Sequence, residues 1–390
     1  MVGREFIQNP GPTNIPDEVL EAFRRPPVDF DSPFFNELVE GVWDELPGVF
    51  GGADEVFVLT SVGHGAWESV LQNVLAPGDQ AIFAVGGLFG ERWGDMAKQL
   101  GYDPIFTDMD LRRAPDAAQV HDLLAADSAH RIKAVFVAQT ETSTGTVADV
   151  PAFRRAIDDA GHPALFVVDA IGSFGSEPMH MVDWGVDVVA AASQKALMMP
   201  PGLAFCAASE RALEVAEQRR SASWYWAWPP RRNRDAVYFR FAGTPPINHM
   251  FALRAALDLI ADEGGIDAVA ARHRRFASAV HACVAGWGGD GPWEVNATHE
   301  NERAAAVTQV RSGHLDASAL RTLARDRFHV SLGGGMLLGD GAFRIGHLGA
   351  LNEPMLLGAL GGVQTAMGAL GYAHGDGLAA AAAHLASAAG

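Results

Sequence analysis

The sequence has little cysteine and little positive charge, and each scarcity excludes a class of protein. Two cysteines, Cys206 and Cys283, in 390 residues cannot build a disulfide framework, which predicts a reducing compartment, the cytoplasm. The chain has 29 basic and 47 acidic residues, a net charge of −18. This acidic balance argues against nucleic acid or an anionic membrane surface as a partner. No run of about 18 apolar residues is present, so no membrane span is expected.

Metal-ligand spacings and the dinucleotide fingerprint are also missing. No cluster of histidines and cysteines has the spacing of a metal site, so no metal is expected. The glycines of Gly86-Gly87-Leu88-Phe89-Gly90 lack the spacing of a dinucleotide-binding loop, and no acidic residue ends a following strand at the expected distance. The sequence therefore disfavours a dinucleotide-dependent oxidoreductase.

What is present is a regular alternation of apolar β-rich runs and amphipathic segments. Strands are predicted at 55–59, 80–85, 133–138, 164–168, 186–190 and 203–207, and helices at 67–75, 92–100 and 152–160. Strands that alternate with helices and read as continuous apolar runs indicate a mainly parallel sheet covered on both faces. The predicted fold class is therefore α/β.

The alternation begins near residue 55, and the stretch 221–246 interrupts it. Residues 1–20 are rich in proline and glycine and are predicted to form an extended N-terminal arm. We place the large domain at 21–261 and a smaller C-terminal α/β domain at 262–390. Three tryptophans and three arginines fill the loop 223–234, for which a lid over the substrate and an anchor in the core are both open.

Polar residues follow several of the predicted strands, where ligands bind in open α/β sheets. Ser61 to Gly65 form a glycine-containing turn before a helix, which suits a phosphate or is an ordinary turn. A run of hydroxyls from Thr140 to Thr146 suits a polar ligand or capping. Asp169 ends one strand, and Lys195 follows another between small residues. Buried acids and lysines require partners or a function.

Asp169 and Lys195 together suggest pyridoxal phosphate. This cofactor forms a Schiff base with a lysine, and an acid pairs with its ring nitrogen. A protonated ring nitrogen lets the ring withdraw electrons from Cα of an amino acid.

The motifs around these two residues resemble the class V branch of the fold-type I pyridoxal-phosphate enzymes, and more narrowly the serine–glyoxylate and alanine–glyoxylate aminotransferases. The resemblance covers nearly the whole chain. It is carried by the following segments, in family order: Pro10-Gly11-Pro12-Thr13-Asn14, Gly63-His64, Thr142 to Gly145, Val168-Asp169-Ala170, Ser193-Gln194-Lys195-Ala196-Leu197, Pro200-Pro201-Gly202, Thr244-Pro245-Pro246 and Phe343-Arg344-Ile345-Gly346-His347-Leu348-Gly349. The fold implied is a seven-stranded, mainly parallel sheet with a smaller C-terminal α/β domain.

The resemblance assigns the residues around the cofactor ring. Lys195 corresponds to the lysine that binds the cofactor covalently and later moves the proton at Cα. Asp169 corresponds to the partner of the ring nitrogen. Phe89 stands where the family stacks an aromatic side chain on the ring, and Thr142 corresponds to a hydroxyl near the phenolic oxygen.

The resemblance also assigns the phosphate and substrate contacts. The phosphate contacts within the chain are Gly63, His64 and Gln194. Thr244 corresponds to a phosphate contact donated across the interface of a homodimer, so that two chains share each active site. Arg344 corresponds to the arginine that binds the substrate carboxylate through two parallel hydrogen bonds, and Asn14 of the arm is assigned to substrate binding.

Three departures from the family pattern affect these assignments. Phe30-Asp31-Ser32-Pro33 is closer to pyridoxamine–pyruvate aminotransferase than to the serine–glyoxylate enzymes. Gln139-Thr140 replaces a His-Asn pair before the acid of the hydroxyl run. Phe241 replaces a tyrosine that contributes a phosphate hydrogen bond, for which Arg240 is a candidate substitute.

The function implied is a transaminase that moves the amino group of serine, alanine or aspartate to glyoxylate or pyruvate, alternating between the two substrates in a ping-pong mechanism. A pyridoxamine–pyruvate type of aminotransferase and a class V lyase such as a cysteine desulfurase are alternatives; the lyase needs a mobile cysteine. A non-catalytic regulator that binds the cofactor is a further alternative. A cofactor spectrum that bleaches on adding an amino donor separates the transaminase from the regulator.

Overall fold

The computed structural model describes residues 5–219 and 221–387. Residues 1–4 of the predicted arm, residue 220, and residues 388–390 at the end of the predicted C-terminal domain lie outside the described residues. The described chain has two main β-sheets. Asp169 and Lys195 lie at the ends of strands of the larger sheet, and Arg344 lies on a strand of the smaller one.

The strands, in chain order, are β1 (Phe6–Gln8), β2 (Glu55–Ser61), β3 (Gln80–Ala84), β4 (Asp103–Phe106), β5 (Ile132–Ala138), β6 (Thr140–Glu141), β7 (Thr146–Val147), β8 (Leu165–Asp169), β9 (Val188–Ala192), β10 (Gly202–Ala208), β11 (Glu294–Val295), β12 (Val307–Arg311), β13 (Val330–Gly334) and β14 (Ala342–Gly346).

The helices, in chain order, are α1 (Asp17–Phe23), α2 (Pro33–Val49), α3 (Gly63–Val74), α4 (Leu88–Gln99), α5 (Ala117–Ala126), α6 (Val150–Asp159), α7 (Glu210–Arg219), α8 (Val237–Arg240), α9 (Ile247–Asp262), α10 (Ile266–Gly288), α11 (Ala317–Phe328), α12 (Glu353–Ala369) and α13 (Gly377–Ser387). No described helix is long and apolar enough for a membrane-spanning segment.

The large sheet has seven strands in the order β2-β10-β9-β8-β5-β3-β4. All neighbouring pairs are parallel except those of β10, which runs antiparallel to both β2 and β9. Every residue of β8 and β9 is buried, because apolar clusters pack on both faces of the sheet. The predicted seven-stranded, mainly parallel α/β sheet is confirmed.

The small sheet has five strands in the order β1-β13-β14-β12-β11. Its edge strand β1 comes from the N-terminal arm and pairs parallel with β13, with Phe6 opposite Val330. The aromatic ring of Phe6 contacts the place where a Cβ of Gly358 would lie, on helix α12. The described part of the arm therefore belongs to this sheet.

The alanine-rich tail forms helix α13, which packs against α10. The contact is close because glycines meet: a Cβ on Gly286 would lie 2.8 Å from Cα of Gly377, and a Cβ on Gly377 would overlap the carbonyl oxygen of Cys283. Residues 377–387 of the tail are helical.

Candidate active site

The carboxyl ends of β5, β8 and β9 open into a cavity of about 290 Å³. The described residues that line it are Val62, Gly63, His64, Trp67, Phe89, Thr140, Thr142, Asp169, Ile171, Gly172, Gln194 and Lys195. The structure thus brings together seven of the residues named from the sequence, from segments at the ends of five strands, β2, β3, β5, β8 and β9. Parallel strands end at one edge of a sheet, which is why residues so distant in sequence meet here.

Lys195 is the buried amine of this cavity. It follows β9 by three residues, and its Nζ donates a hydrogen bond to the carbonyl oxygen of Pro10 in the arm. Burial, and to a smaller extent the nearby Arg344, lower the pKa of Lys195 to about 8, whereas Asp169 opposes the shift. A far larger fraction of this amine is therefore neutral and nucleophilic near pH 7 than for an exposed lysine.

Asp169 is the buried acid at the end of β8. Burial raises its pKa to about 7, and the negative charge of Glu141 adds to the rise. The backbone N–H of Ile171 donates to its Oδ1 at 2.6 Å and opposes the shift. The indole of Trp67 also favours the charged form, although its Nε1 has no partner at hydrogen-bonding geometry among the described residues. A cationic group placed in the cavity would return Asp169 to its charged form.

The aromatic residue Phe89 is held in place from another strand. Oε2 of Glu141 accepts hydrogen bonds from the backbone N–H groups of Phe89 at 3.0 Å and Gly90 at 3.1 Å. The hydroxyl of Ser143 accepts from Leu88 N at 3.0 Å and donates to Oε1 of Glu141 at 2.6 Å. The N-cap residue of helix α4 is Gly87, which has no side chain to accept a hydrogen bond. Glu141 and Ser143 therefore accept the hydrogen bonds of the first N–H groups of the helix.

Arg344 reaches toward the same edge from the small sheet. Its Nε donates to the carbonyl oxygen of Gly334 at 2.8 Å, and its Nη1 donates to that of Thr142 at 3.1 Å. The guanidinium is mostly buried, and burial lowers its pKa to about 10. Among the described residues, two of its five N–H groups are thus bonded to backbone carbonyl oxygens. The other three are available to a ligand.

The opposite end of the cavity is the first turn of α3. Helix α3 begins at Gly63, where a Cβ would lie 2.7 Å from the side chain of Ile171. The predicted helix started four residues later, so this turn belongs to the helix and presents its N-terminal N–H groups. Burial, with Arg92 nearby, lowers the pKa of His64, which leaves the imidazole neutral near pH 7. Gln194 lies beside this turn, and its buried Oε1 lacks a partner among the described residues.

Asn14 and Thr244, like Arg344, are predicted site residues that do not line the cavity in the described chain. Asn14 donates through Nδ2 to the carbonyl oxygen of Ile7 at 3.1 Å and lines a separate groove that includes Arg272. Thr244 is exposed and precedes α9. The substrate-binding role of Asn14 and the phosphate-binding role of Thr244 therefore stay predictions.

Arg240, the candidate substitute for a missing tyrosine, has other partners. Its Nη2 donates to Glu40 at 3.0 Å, and its guanidinium lies 5.0 Å from the ring of Trp43. Phe241 packs edge-on against the same Trp43 ring. These contacts place both side chains against α2 and away from the cavity.

The tryptophan-rich loop is anchored to the outer face of α3. Nε1 of Trp228 donates to Ser69 Oγ at 2.9 Å, and its ring stacks on Phe57. Nδ2 of Asn73 donates to the carbonyl oxygen of Trp226 at 2.8 Å. Trp228 is fully buried, whereas Trp224 is 73% exposed. The anchor interpretation therefore holds for Trp228.

Sequence reasoning did not assign Glu141, Thr140 or Trp67. Glu141 and Thr140 stood inside the hydroxyl run, where capping was considered, but an acid at a strand end gives no sign of which amides it will bind. The clearest available signal was that Glu141 is a charged residue in an otherwise uncharged buried run. Trp67 was interpreted only as part of a helix.

The predicted cofactor is compatible with this cavity. The cavity holds the buried amine of Lys195 and the buried acid of Asp169, which interact electrostatically. The ring of Phe89 lies on one side, and the N-terminus of α3, with the unpartnered Oε1 of Gln194, lies at one end. Pyridoxal phosphate requires these groups: an amine for its aldehyde, an acid for its ring nitrogen, a flat apolar surface and an anion site. Within the described residues, no cluster of side chains suits a metal ion.

Comparisons with known proteins agree with this arrangement. Residues 34–335 match the family model described as Aminotransferase class-V. The chain is 36% identical to the serine–glyoxylate aminotransferase of Methylorubrum extorquens over 98% of this chain and 96% of that protein. It is 35% identical to the L-aspartate–glyoxylate aminotransferase of Paracoccus denitrificans, covering 98% and 97%. The crystal structure of pyridoxamine–pyruvate aminotransferase from Mesorhizobium loti superposes with a TM-score of 0.87 at 27% identity, covering 99% and 98%.

Proposed function

We propose a substrate class for this chain, which belongs to the class V aminotransferases and is therefore an enzyme that uses pyridoxal phosphate. The amino donor is a small L-amino acid, serine, alanine or aspartate, and the acceptor is glyoxylate or pyruvate. The two relatives above that act on serine or aspartate with glyoxylate support this choice. The observation that carries it is the Arg344 guanidinium, which keeps free N–H groups close to the buried amine of Lys195.

The proposed roles follow from the contacts. The cofactor, when bound, supplies an aldehyde for the amino group and a ring that withdraws electrons from Cα. Lys195 holds the cofactor and then takes and returns the Cα proton as general base, for which its lowered pKa is suited. Asp169 keeps the ring nitrogen protonated, and Phe89 supports one face of the ring. Arg344 orients the substrate by binding its carboxylate.

The remaining assignments concern the two ends of the cofactor. Gly63, His64 and Gln194 bind the phosphate at the first turn of α3. Thr142 binds near the phenolic oxygen, and its backbone oxygen also fixes Arg344. This link joins the cofactor wall to the substrate carboxylate site through a single residue.

The small size of the donor is supported by how closely the arm approaches Lys195. Gly11 has φ of +113°, and a Cβ at this position would lie 2.6 Å from Nζ of Lys195. The arm is itself pressed against the small sheet, since a Cβ on Gly333 would lie 3.0 Å from Pro10 Cδ. Backbone therefore fills the space beyond the amine, which favours donors with short side chains.

We also propose that the protein is a homodimer with shared active sites. Val62 lines the cavity and is 43% exposed, so the phosphate end lies close to the surface, where a second copy can reach it. Thr244 is exposed in the single chain. A residue that binds in the active site of the partner subunit must be exposed in this way before the dimer forms. Mixing Lys195→Ala chains with Thr244→Val chains tests this: one fully intact site should form per mixed dimer and restore part of the activity.

Two further proposals concern organisation and location. We propose that the chain divides into the arm 1–20, a cofactor-binding domain 21–261 and a smaller domain 262–390, as the separate sheets suggest. We propose a cytoplasmic location, supported by free, buried Cys206 and Cys283. The same burial disfavours a cysteine desulfurase, because burial raises the pKa of Cys206 to about 12 and neither thiol is accessible.

A single-turnover screen tests the function. Protein loaded with pyridoxal phosphate is mixed with serine, alanine, aspartate and, as a control, a bulky donor such as phenylalanine, and the visible absorbance is followed. The absorbance should bleach with the small donors and return on adding glyoxylate or pyruvate. Bleaching by none of them, or turnover of free pyridoxamine with pyruvate instead, would overturn the proposal and favour the pyridoxamine–pyruvate alternative.

A further inference from the structure

A buried hydroxyl without a partner lies in the wall of the Lys195 cavity. The side chain of Thr140 is 4% exposed and lines the cavity. Its Oγ1 has no hydrogen-bond partner among the described residues. Removing a hydroxyl from water without replacing its hydrogen bonds destabilises the folded chain. The chain alone therefore gains nothing from this oxygen.

Three neighbouring hydroxyls in the same run, those of Ser143, Thr144 and Thr146, are bonded inside the protein. Oγ of Ser143 donates to Glu141, and Oγ1 of Thr144 lies 2.9 Å from that of Thr146 and donates to the carbonyl oxygen of Gly86 at 3.1 Å. These bonds tie the turn to the start of α4. The other hydroxyls therefore stabilise the turn, and that of Thr140 takes no part in these hydrogen bonds.

The backbone register places Thr140 beside the acid. Ala138 at the end of β5 pairs with Asp169, and the N–H of Gln139 donates to the carbonyl oxygen of Asp169 at 2.9 Å. Thr140 is the next residue. Across the cavity wall, a Cβ on Gly172 would lie 3.6 Å from Cβ of Thr140, so the absence of a side chain at Gly172 keeps this part of the wall open.

We propose that Thr140 is a cofactor-binding residue, whose hydroxyl completes its hydrogen bonding with the polar ring edge of bound pyridoxal phosphate, on the side that Asp169 serves. The ring edge carries a nitrogen and a phenolic oxygen, and a hydroxyl both donates and accepts. This inference rests on the cofactor site proposed above and is independent of the donor and the acceptor.

The test separates cofactor binding from folding. Thr140→Val removes the hydroxyl and keeps the shape, Thr140→Ser keeps the hydroxyl, and Thr144→Val removes a hydroxyl that is bonded inside the protein. The dissociation constant of pyridoxal phosphate and the melting temperature of the cofactor-free protein are measured for each. Thr140→Val should raise the dissociation constant about tenfold, as expected for one lost hydrogen bond, without lowering the melting temperature.

The controls define the opposite results. Thr140→Ser should bind the cofactor within about twofold of the unmodified protein, and Thr144→Val should lower the melting temperature of the cofactor-free protein. A Thr140→Val protein that binds the cofactor normally, or that unfolds at lower temperature in parallel with Thr144→Val, overturns the assignment. If the unmodified protein failed to attach the cofactor at Lys195, the proposed site itself would be wrong, and that outcome is visible before any Thr140 variant is compared.

Discussion

The carboxylate of Glu141 accepts a hydrogen bond from the backbone N–H of Phe89 at 3.0 Å, so one strand end fixes the aromatic wall that begins on another. Glu141 is almost fully buried, and burial raises its pKa. Its charge also raises the pKa of Asp169 and favours the charged form of Arg344. A single acid thus links Phe89, Asp169 and Arg344.

The first prediction concerns this link. Glu141→Gln should lower the free energy of unfolding by roughly 1.5–3 kcal/mol, the range for a lost hydrogen bond to a charged group, and should lower the pKa of Asp169 by removing a neighbouring negative charge. Denaturant unfolding and the pH dependence of the bound cofactor's absorbance measure the two effects. Glu91→Gln, an exposed acid in the first turn of the same helix, is the matched control, and equal effects of both changes would contradict the link.

The second prediction concerns Lys195, and the small number of lysines in the chain makes it easy to test. The chain has three lysines, Lys98, Lys133 and Lys195. Reduction of the loaded protein with borohydride should attach the cofactor to Lys195 alone, and peptide mass spectrometry locates the label. Lys195→Ala should keep the fold and abolish turnover. A label on Lys98 or Lys133 at the same stoichiometry, or substantial residual proton transfer in Lys195→Ala, would remove the basis of the proposed mechanism.

The lowered pKa of Lys195 also sets a pH dependence for cofactor capture. The neutral amine reacts, and the pKa of about 8 lies some 2.5 units below that of an ordinary lysine, so the neutral fraction near pH 7 is about 300-fold larger. The rate of capture by the cofactor-free protein should rise with pH and level off above about pH 8. Continued tenfold rises per unit toward pH 10 would contradict the shift.

The third prediction concerns the approach of the arm to the active site. Gly11→Ala should block cofactor attachment, because the new Cβ would overlap Lys195, whose nearest atoms are 2.6 Å from that position. Gly78→Ala is the control: Gly78 also has positive φ, +85°, but has nothing within 4 Å of the added Cβ. Both variants carry the backbone strain of an alanine at positive φ. Only the first should lose attachment, and equal loss in both would refute the steric argument.

The fourth prediction concerns the substrate carboxylate. Arg344→Lys should raise the donor KM by about tenfold or more and leave the cofactor dissociation constant almost unchanged, since an ammonium cannot form the paired hydrogen bonds of a guanidinium. Steady-state kinetics with the best small donor and a cofactor titration measure the two quantities. Arg325→Lys, at an exposed position on α11, serves as the control. An unchanged donor KM in Arg344→Lys would argue against the assignment.

Much of the fold was predictable from the sequence because the buried strands are continuous apolar runs. Strands of the large sheet such as β8 are buried on both faces, so their residues form an almost continuous apolar run. Composition alone was therefore enough to predict these strands. Strand β1 was missed because three residues carry no period, and its pairing with β13 depends on a partner more than 320 residues away in the chain.

The site was predictable only where chemistry marks a residue type. Lys195 and Asp169 stand out because a charge at the end of an apolar strand is rare. Glu141 and Thr140 do not, since their significance depends on which amides and which cavity the folded backbone brings near them. The placement of Asn14 against Ile7 is likewise a property of how the arm turns, which its proline- and glycine-rich sequence leaves open.

The last prediction concerns acid stability, to which three histidines on and near α10 contribute. Burial lowers the pKa of His273 and His281 to about 3 and that of His347 to about 4. In the unfolded chain these groups protonate near pH 6.5, so between that pH and about 4 the unfolded state binds more protons than the folded one, and stability falls as the pH is lowered. Each histidine should contribute a slope of about 1.4 kcal/mol per pH unit below pH 6.

His347 offers the most direct check of this slope. Its ring lies 2.8 Å from the carbonyl oxygen of Ala305 and 2.9 Å from Oγ1 of Thr308. Denaturant unfolding between pH 5 and 6.5, above the range in which most carboxylates titrate, should show a slope reduced by one proton in His347→Gln. If His347→Gln lowers stability equally at every pH, the imidazole contributes only hydrogen bonds, and the acid sensitivity must come from elsewhere in the chain.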